Sequence, residues 1–155
     1  TEYLMELVGE GAKVAELQGV PGASATIDRG AGFHQVADQS LQVAASQTAN
    51  FNRAEGMTVM ENILQSDGAI KGVFAHNDEM ALGAVEAVAA SGKDIKIVGF
   101  DATDDAQKAV KDGKMAATVA QKPDKMGETA IETAVKIMAG ETADKSIPVE
   151  VELIK

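Results

Sequence analysis

The amino-acid sequence predicts a doubly wound α/β fold, a Rossmann-like parallel sheet with helices on both faces. Three apolar runs carry that reading, because each ends in a polar residue and is followed by a helical pattern. Val73-Phe74-Ala75 runs through His76 to Asn77, Ile97-Val98-Gly99-Phe100 ends in Asp101, and Ala116 to Ala120 ends in Gln121. After Asn77 the apolar residues Met80, Leu82, Ala84, Val85 and Val88 recur at helical spacing. Strand ends at 77, 101 and 121 suit strand-helix-strand units, whose right-handed crossovers bring neighbouring strand ends to one edge. Ligands of such sheets sit outside the carboxyl ends of the strands, so Asn77, Asp101 and Gln121 are candidate site residues.

Taken in order, Thr1 to Val8 reads as a short helix ended by Gly9 and Gly11, and Ala12 to Leu17 as the first strand. The loop Val20-Pro21-Gly22-Ala23-Ser24 leads into a helix over about Ala25 to Gln39. Ser24 is its expected N-cap, and Ile27, Phe33, Val36 and Ala37 face the core. A helix that follows a parallel strand begins at the carboxyl edge, which puts Arg29, in the first turns, within reach of the three strand ends. Leu41 to Ser46 is the second strand. The polar loop Gln47 to Asn52 follows, then a helix from about Arg53 to Gln65 that buries Met57, Met60, Ile63 and Leu64. Phe51 in that loop either folds back on the core or lines a pocket. Beyond Gln121, Pro123 stops the strand, Asp124 to Ala139 reads as an amphipathic helix ended by Gly140, and Pro148 to Ile154 alternates as a final strand.

Composition narrows the classes of function. With 155 residues, 45% of them hydrophobic and 25% charged, the chain suits one globular domain. A net charge of −10 with only two arginines argues against nucleic acid, whose affinity for proteins rests on Lys and Arg at the phosphates. Zero cysteines removes disulfides, thiol catalysis and Cys-based zinc. No run is long enough to span a membrane, and Thr1-Glu2-Tyr3-Leu4 lacks the character of a signal peptide. Without an initiator Met, the chain reads as a processed or excised piece.

An acid, two amides and an arginine at one sheet edge suit a neutral, hydroxyl-rich ligand. A carboxylate accepts from two hydroxyls, a guanidinium donates in a planar fork, and amides do both. The competing reading is that Asn77 and Asp101 only cap the helices that follow them. Catalytic readings fare worse. Asp101 in Phe-Asp-Ala-Thr-Asp-Asp has the look of a phosphotransfer aspartate, but Asp104 and Asp105 read more simply as the N-cap and first turn of the next helix. His34 and His76 have no metal-ligand spacing, and His76 should point away from the side that Asn77 faces. Neither a metal nor a cofactor is expected. Gly19 to Gly22 lacks the pattern of a phosphate loop, and Arg53 reads as a solvated surface charge.

Several segments together strongly resemble one family. Gly-Ala-Lys-Val-Ala-Glu-Leu-Gln-Gly (11 to 19), Arg-Gly-Ala-Gly-Phe (29 to 33), Ala-Asn-Phe-Asn-Arg (49 to 53), Val-Phe-Ala-His-Asn-Asp-Glu-Met-Ala-Leu-Gly-Ala (73 to 84), Val-Gly-Phe-Asp (98 to 101) and Ala-Ala-Thr-Val-Ala-Gln (116 to 121) are similar to the carboxy-terminal lobe of bacterial ribose-binding proteins. These are type I periplasmic receptors of sugar ABC transporters, and the resemblance covers essentially the whole chain. It implies a non-enzymatic receptor for a monosaccharide, D-ribose above all, held by Arg29, Phe51, Asn77, Asp101 and Gln121. Phe51 would stack on the sugar ring, and the other four would bond its hydroxyls. The implied partners are the amino-terminal lobe of the same protein and a membrane permease, in the periplasm or, in a Gram-positive source, on a cell-surface lipoprotein.

The resemblance also divides the chain. Residues 1–121 would be the sugar-binding lobe, 122–146 a hinge-crossing helical segment packed on the amino-terminal lobe, and 147–155 a strand returning to the first lobe. The helix carries Met126, Ala130, Ile131, Ala134, Val135, Ile137 and Met138 as an apolar stripe, so the isolated lobe is expected to pair with a second copy rather than fold this helix back. Two alternatives share parts of the pattern: the effector-binding core of a lactose-repressor-type regulator, and a phosphotransfer enzyme.

Overall fold

The computed structural model describes residues 1–155, in which helices and strands alternate. In chain order they are α1 (Glu2–Val8), β1 (Lys13–Gln18), α2 (Ser24–Ser40), β2 (Gln42–Thr48), α3 (Arg53–Ser66) and β3 (Gly72–Ala75). There follow α4 (Asp78–Ser91), β4 (Lys96–Asp101), α5 (Asp104–Lys111), β5 (Ala117–Ala120), α6 (Pro123–Met138) and β6 (Glu152–Ile154). One sheet is formed, in the order β2-β1-β3-β4-β5-β6. β1 to β5 pair in parallel, while β6 runs antiparallel to β5, with Val119 opposite Leu153.

The period of two along each strand sends alternate side chains to two separate cores. Ala15, Leu17, Val73, Ala75 and Ile97 meet Met60, Ile63, Met80 and Ala84 of α3 and α4 on one face. Val14, Phe74 and Val98 meet Leu4, Phe33 and Ala37 of α1 and α2 on the other. Each large aliphatic or aromatic side chain so buried contributes about 1.5–3 kcal/mol. Helices α3 and α4 cross at Gly83, where a Cβ would stand 2.1 Å from the carbonyl oxygen of Arg53. That close approach fixes the start of α3 beside α4.

Several sequence expectations need correcting. Ser24 is the first residue of α2 rather than its cap; Ala23 holds that position, and no side chain caps the helix. The Thr26 hydroxyl bonds to the carbonyl of Val20 instead and ties the turn down. Ile27 is 59% exposed, because the inward stripe of α2 is Gly30, Phe33 and Ala37, and Ile27 lies off it at the end of the helix. Met57 is only partly buried. Thr103 caps α5 by accepting from the amide of Ala106, so Asp104 and Asp105 both belong to the first turn. β2 runs on to Thr48, because pairing with β1 continues to Gln18. The final strand shrinks to Glu152–Ile154, the stretch that faces β5, and no strand forms at Pro148. α6 buries none of its residues.

Candidate functional site

The carboxyl ends of β3 and β4, the loop after β2, the residue after β5 and the first turns of α2 converge on one edge of the sheet. Backbone strain gathers there. Asn50, Phe51, Asp101 and Ala102 are the non-glycine residues with positive φ, at 52°, 59°, 121° and 54°. Each such residue costs on the order of 1–3 kcal/mol, which the surrounding structure must offset.

Asp101 is the junction. Its Oδ1 lies 3.3 Å from Nη2 of Arg29 and accepts from Nε2 of Gln121 at 2.7 Å, while Oδ2 has no hydrogen bond within the protein. Burial pushes the Asp101 carboxyl up, against the pull of Arg29 and the Gln121 hydrogen bond. Arg29 is held on three sides. Its Nη1 donates to the carbonyl oxygen of His76, Nη2 faces Asp101, and the guanidinium lies 4.0 Å from the ring centroid of Phe100.

Asn77 does cap α4, accepting from the amide of Met80 at 3.0 Å, and its Nδ2 donates to the carbonyl of Phe51 at 3.3 Å. Capping and a place at the edge therefore coexist in one residue. The open question over Phe51 resolves toward the core. The loop after β2 lays its ring over Gly19, where a Cβ would meet Cζ at 2.0 Å, and the ring packs against the α3–α4 core. A cleft of about 590 Å³ opens beside Arg29, Phe100 and Gln121, with Met126 and the segment from Ile147 to Val149 as its far wall. Phe51, Asn77 and Asp101 lie outside that cleft. The five residues thus form two hydrogen-bonded groups, Arg29–Asp101–Gln121 and Asn77–Phe51, joined where Arg29 bonds the carbonyl next to Asn77.

Supporting residues escaped the sequence reading. Phe100 looked like one more strand residue, yet its ring carries Arg29. Arg53, expected to be solvated, donates through Nε and Nη2 to Glu79 at 3.1 and 2.8 Å and reaches Asp105 at 3.2 Å. His76 points to the α2 side, as the strand period requires, and meets the buried Glu16. Glu16 also accepts from Ser46 and from Gln18. No group of three or more His, Cys, Asp or Glu side chains is arranged to hold a metal ion. No helix is long and apolar enough to cross a membrane.

A family described as periplasmic binding protein domain matches residues 1–142. The chain belongs to that family. It is 54% identical over 151 residues to the ribose import binding protein of Bacillus subtilis (strain 168), an alignment that takes in 97% of this chain and 50% of that protein. With the ribose import binding protein of Escherichia coli (strain K12) it shares 50% over 155 residues, 99% of this chain and 52% of that one. The chain spans about half the length of these curated relatives.

Solved structures agree on the fold. A periplasmic ribose ABC transporter protein from Conexibacter woesei DSM 14684 superposes with a TM-score of 0.90 at 28% identity, covering 98% of this chain and 53% of that one. A solute binding protein of an ABC transporter from Bacillus halodurans C-125, with bound myo-inositol, gives 0.86 at 38% identity, covering 99% and 54%. The Bacillus halodurans protein is a solute binding protein by name, and the two curated relatives are binding proteins for ribose import.

Proposed function

We propose that the chain is the carboxy-terminal lobe of a sugar receptor, that its ligand is D-ribose, and that it acts in uptake by closing on the sugar and presenting the closed form to a membrane permease. It is a binding module without turnover, working outside the cytoplasmic membrane. The observation that carries this reading is the chain Arg29–Asp101–Gln121, which leaves Asp101 Oδ2 free as an acceptor on a backbone held in a strained conformation at the strand ends. A free carboxylate oxygen beside a guanidinium fork and an amide is what a vicinal diol needs. Phe51 supplies the apolar face for a sugar ring and Asn77 a further polar group. The names of the 54% and 50% identical relatives favour ribose among the sugars.

In the same reading, residues 1–121 are the sugar lobe, 122–146 cross a hinge to a second lobe, and 147–155 return. The bare surface of α6 supports that division. The test is a sugar panel on the longer two-lobed protein, because a ligand that binds the folded state raises the unfolding midpoint in proportion to ln(1 + [L]/Kd). D-Ribose should give the largest shift among ribose, allose, galactose, glucose and myo-inositol. A larger shift with galactose or glucose would remove ribose as the ligand.

A further inference from the structure

The five edge residues do not explain why Asp101 stands where it does. Asp101 and Ala102 both hold positive φ, in succession, without a glycine at either position. Something must pin the peptide groups around them. The first residue of α4, Asp78, has no solvent exposure and lies beneath this turn. Its Oδ2 accepts from the Thr103 amide at 2.8 Å and from the Thr103 hydroxyl at 3.2 Å. Its Oδ1 accepts from the Thr118 hydroxyl at 2.7 Å. Because Thr118 gives its proton to Asp78, its oxygen is turned to accept from the Ala102 amide, at 3.1 Å. Gln107 closes the other side by donating to the Ala102 carbonyl at 2.8 Å. The carboxylate also needs room in the sheet. A Cβ on Gly99 would stand 2.3 Å from Asp78 Oδ1, so the glycine in β4 makes space for it.

We infer that Asp78, acting through Thr118 and Thr103, is a positioning residue for the ligand site, holding the Asp101–Ala102 turn in the conformation that aims the Asp101 carboxylate at Arg29 and Gln121. Asp78 itself touches neither Arg29 nor Gln121. A carboxylate is the group that suits this place, because every neighbour presents a donor, and a carboxylate only accepts. An amide of the same shape must turn its NH₂ toward either Thr103 or Thr118. The first choice sets donor against donor. The second forces the Thr118 hydroxyl to send its proton elsewhere and loosens its hold on Ala102. The inference rests on the sugar-site reading for its consequence but not for its geometry.

The experiment uses the 155-residue chain, with Asp78→Asn, Thr118→Val, Asp101→Asn and the double variant Asp78→Asn/Asp101→Asn. Without sugar, amide exchange and chemical shifts at Ala102 and Thr103 should change in Asp78→Asn and Thr118→Val, while amides of the β1–β2 side stay as they are. With D-ribose, and the same changes placed in the longer two-lobed protein, Asp78→Asn should weaken binding about tenfold, the effect of losing one hydrogen bond to a charged group. In the Asp101→Asn background the same change should add little, since two residues acting through one carboxylate are not additive. Replacing Ala102 by glycine, which tolerates positive φ, should restore part of the loss in Asp78→Asn. Unchanged Ala102 and Thr103 amides in both single variants, or full additivity in the double variant, would overturn the inference. Should Asp78→Asn fail to fold, Thr118→Val decides by the same readouts. Equal ribose binding by the two-lobed protein and its Asp101→Asn variant would refute the sugar reading instead, and the sugar-free amides would still decide the role of Asp78.

Discussion

Nε2 of His76 lies 2.8 Å from Oε1 of Glu16, with both side chains wholly shielded from solvent on the α2 face of the sheet. Nδ1 of the same ring accepts from the Gly19 amide at 3.4 Å, so the ring proton sits on Nε2 and is donated to Glu16. His76 thereby links three parts of the edge. Its ring reaches the residue under Phe51, its carbonyl holds Arg29, and its neighbour is Asn77. Outward, His34 lies 3.3 Å from the other Glu16 oxygen and 2.7 Å from Asp38, which extends the network to the surface.

Glu16→Gln keeps the shape but must turn its NH₂ either toward the His76 donor or toward the Ser46 and Gln18 donors, leaving at least one buried group unpaired. The expected cost is about 1–3 kcal/mol of folding stability. Urea unfolding at neutral pH measures it. An unchanged midpoint and slope would mean that the carboxylate's charge does not matter here.

Acid should reveal the same residue by another route. Burial pushes the Glu16 carboxyl up, but the hydrogen bonds from His76, Ser46 and Gln18 outweigh it and hold the group at about 2, against an ordinary value of 4.5. A carboxylate whose folded value is depressed stabilises the protein above its unfolded value. That stability is therefore complete above pH 4.5 and is lost as pH falls toward 2, on the order of 3 kcal/mol in all. Asp78 and Asp101 act in the opposite sense, since burial raises both. The difference between the chain and Glu16→Gln isolates the Glu16 contribution. The two stability curves should converge between pH 4.5 and 2; parallel curves would exclude the depressed carboxyl.

The sheet and its edge were legible in the sequence, and the support beneath them was not. Asn77, Asp101 and Gln121 stand out because a polar residue that closes an apolar run and precedes a helix marks the carboxyl end of a parallel strand. Glu16 and His76 are 60 residues apart, and nothing in their local sequence says that a glutamate inside an apolar strand has found a partner. Arg53 misleads for the same reason, its partners lying 26 and 52 residues away. Asp78 is hidden by a plausible local role, that of an acid in the first turn of a helix. β6 was expected to be a long strand because Pro148 to Ile154 alternates, but alternation cannot tell which residues find a pairing edge.

Arg29→Lys tests whether the arginine works as a fork. A single ammonium cannot bond the His76 carbonyl, face Asp101 and lie flat on Phe100 at once. Ribose affinity, by calorimetry on the two-lobed protein, should fall about tenfold or more, because a charge-assisted contact is lost and its partners stay in place. Near-normal affinity would remove Arg29 from the site. In the same assay Phe51→Ala should weaken binding less than Asp101→Ala, since it removes stacking area and leaves no charge unpaired.

The helix α6 decides how the isolated chain behaves in solution. Ile131 is 69% exposed and Met138 79%, and Met126, Val135 and Ile137 are exposed beside them. Folding back on the lobe would bury this stripe, but in the monomer α6 stands bare along its length. A helix of sixteen residues without packing is only marginally stable in water, and apolar patches of this kind associate. Pairing of two copies through α6 removes both difficulties, with each Å² of apolar surface worth roughly 25 cal/mol. Sedimentation velocity should therefore show a concentration-dependent dimer for the 155-residue chain, and Ile131→Glu with Val135→Glu should return it to a monomer without changing the unfolding of the sheet. In the longer two-lobed protein, where the proposed second lobe covers the same stripe, the dimer should be absent. A strict monomer at high concentration, with amides of α6 as slow to exchange as those of β3, would show that the helix packs on its own lobe and would refute the pairing.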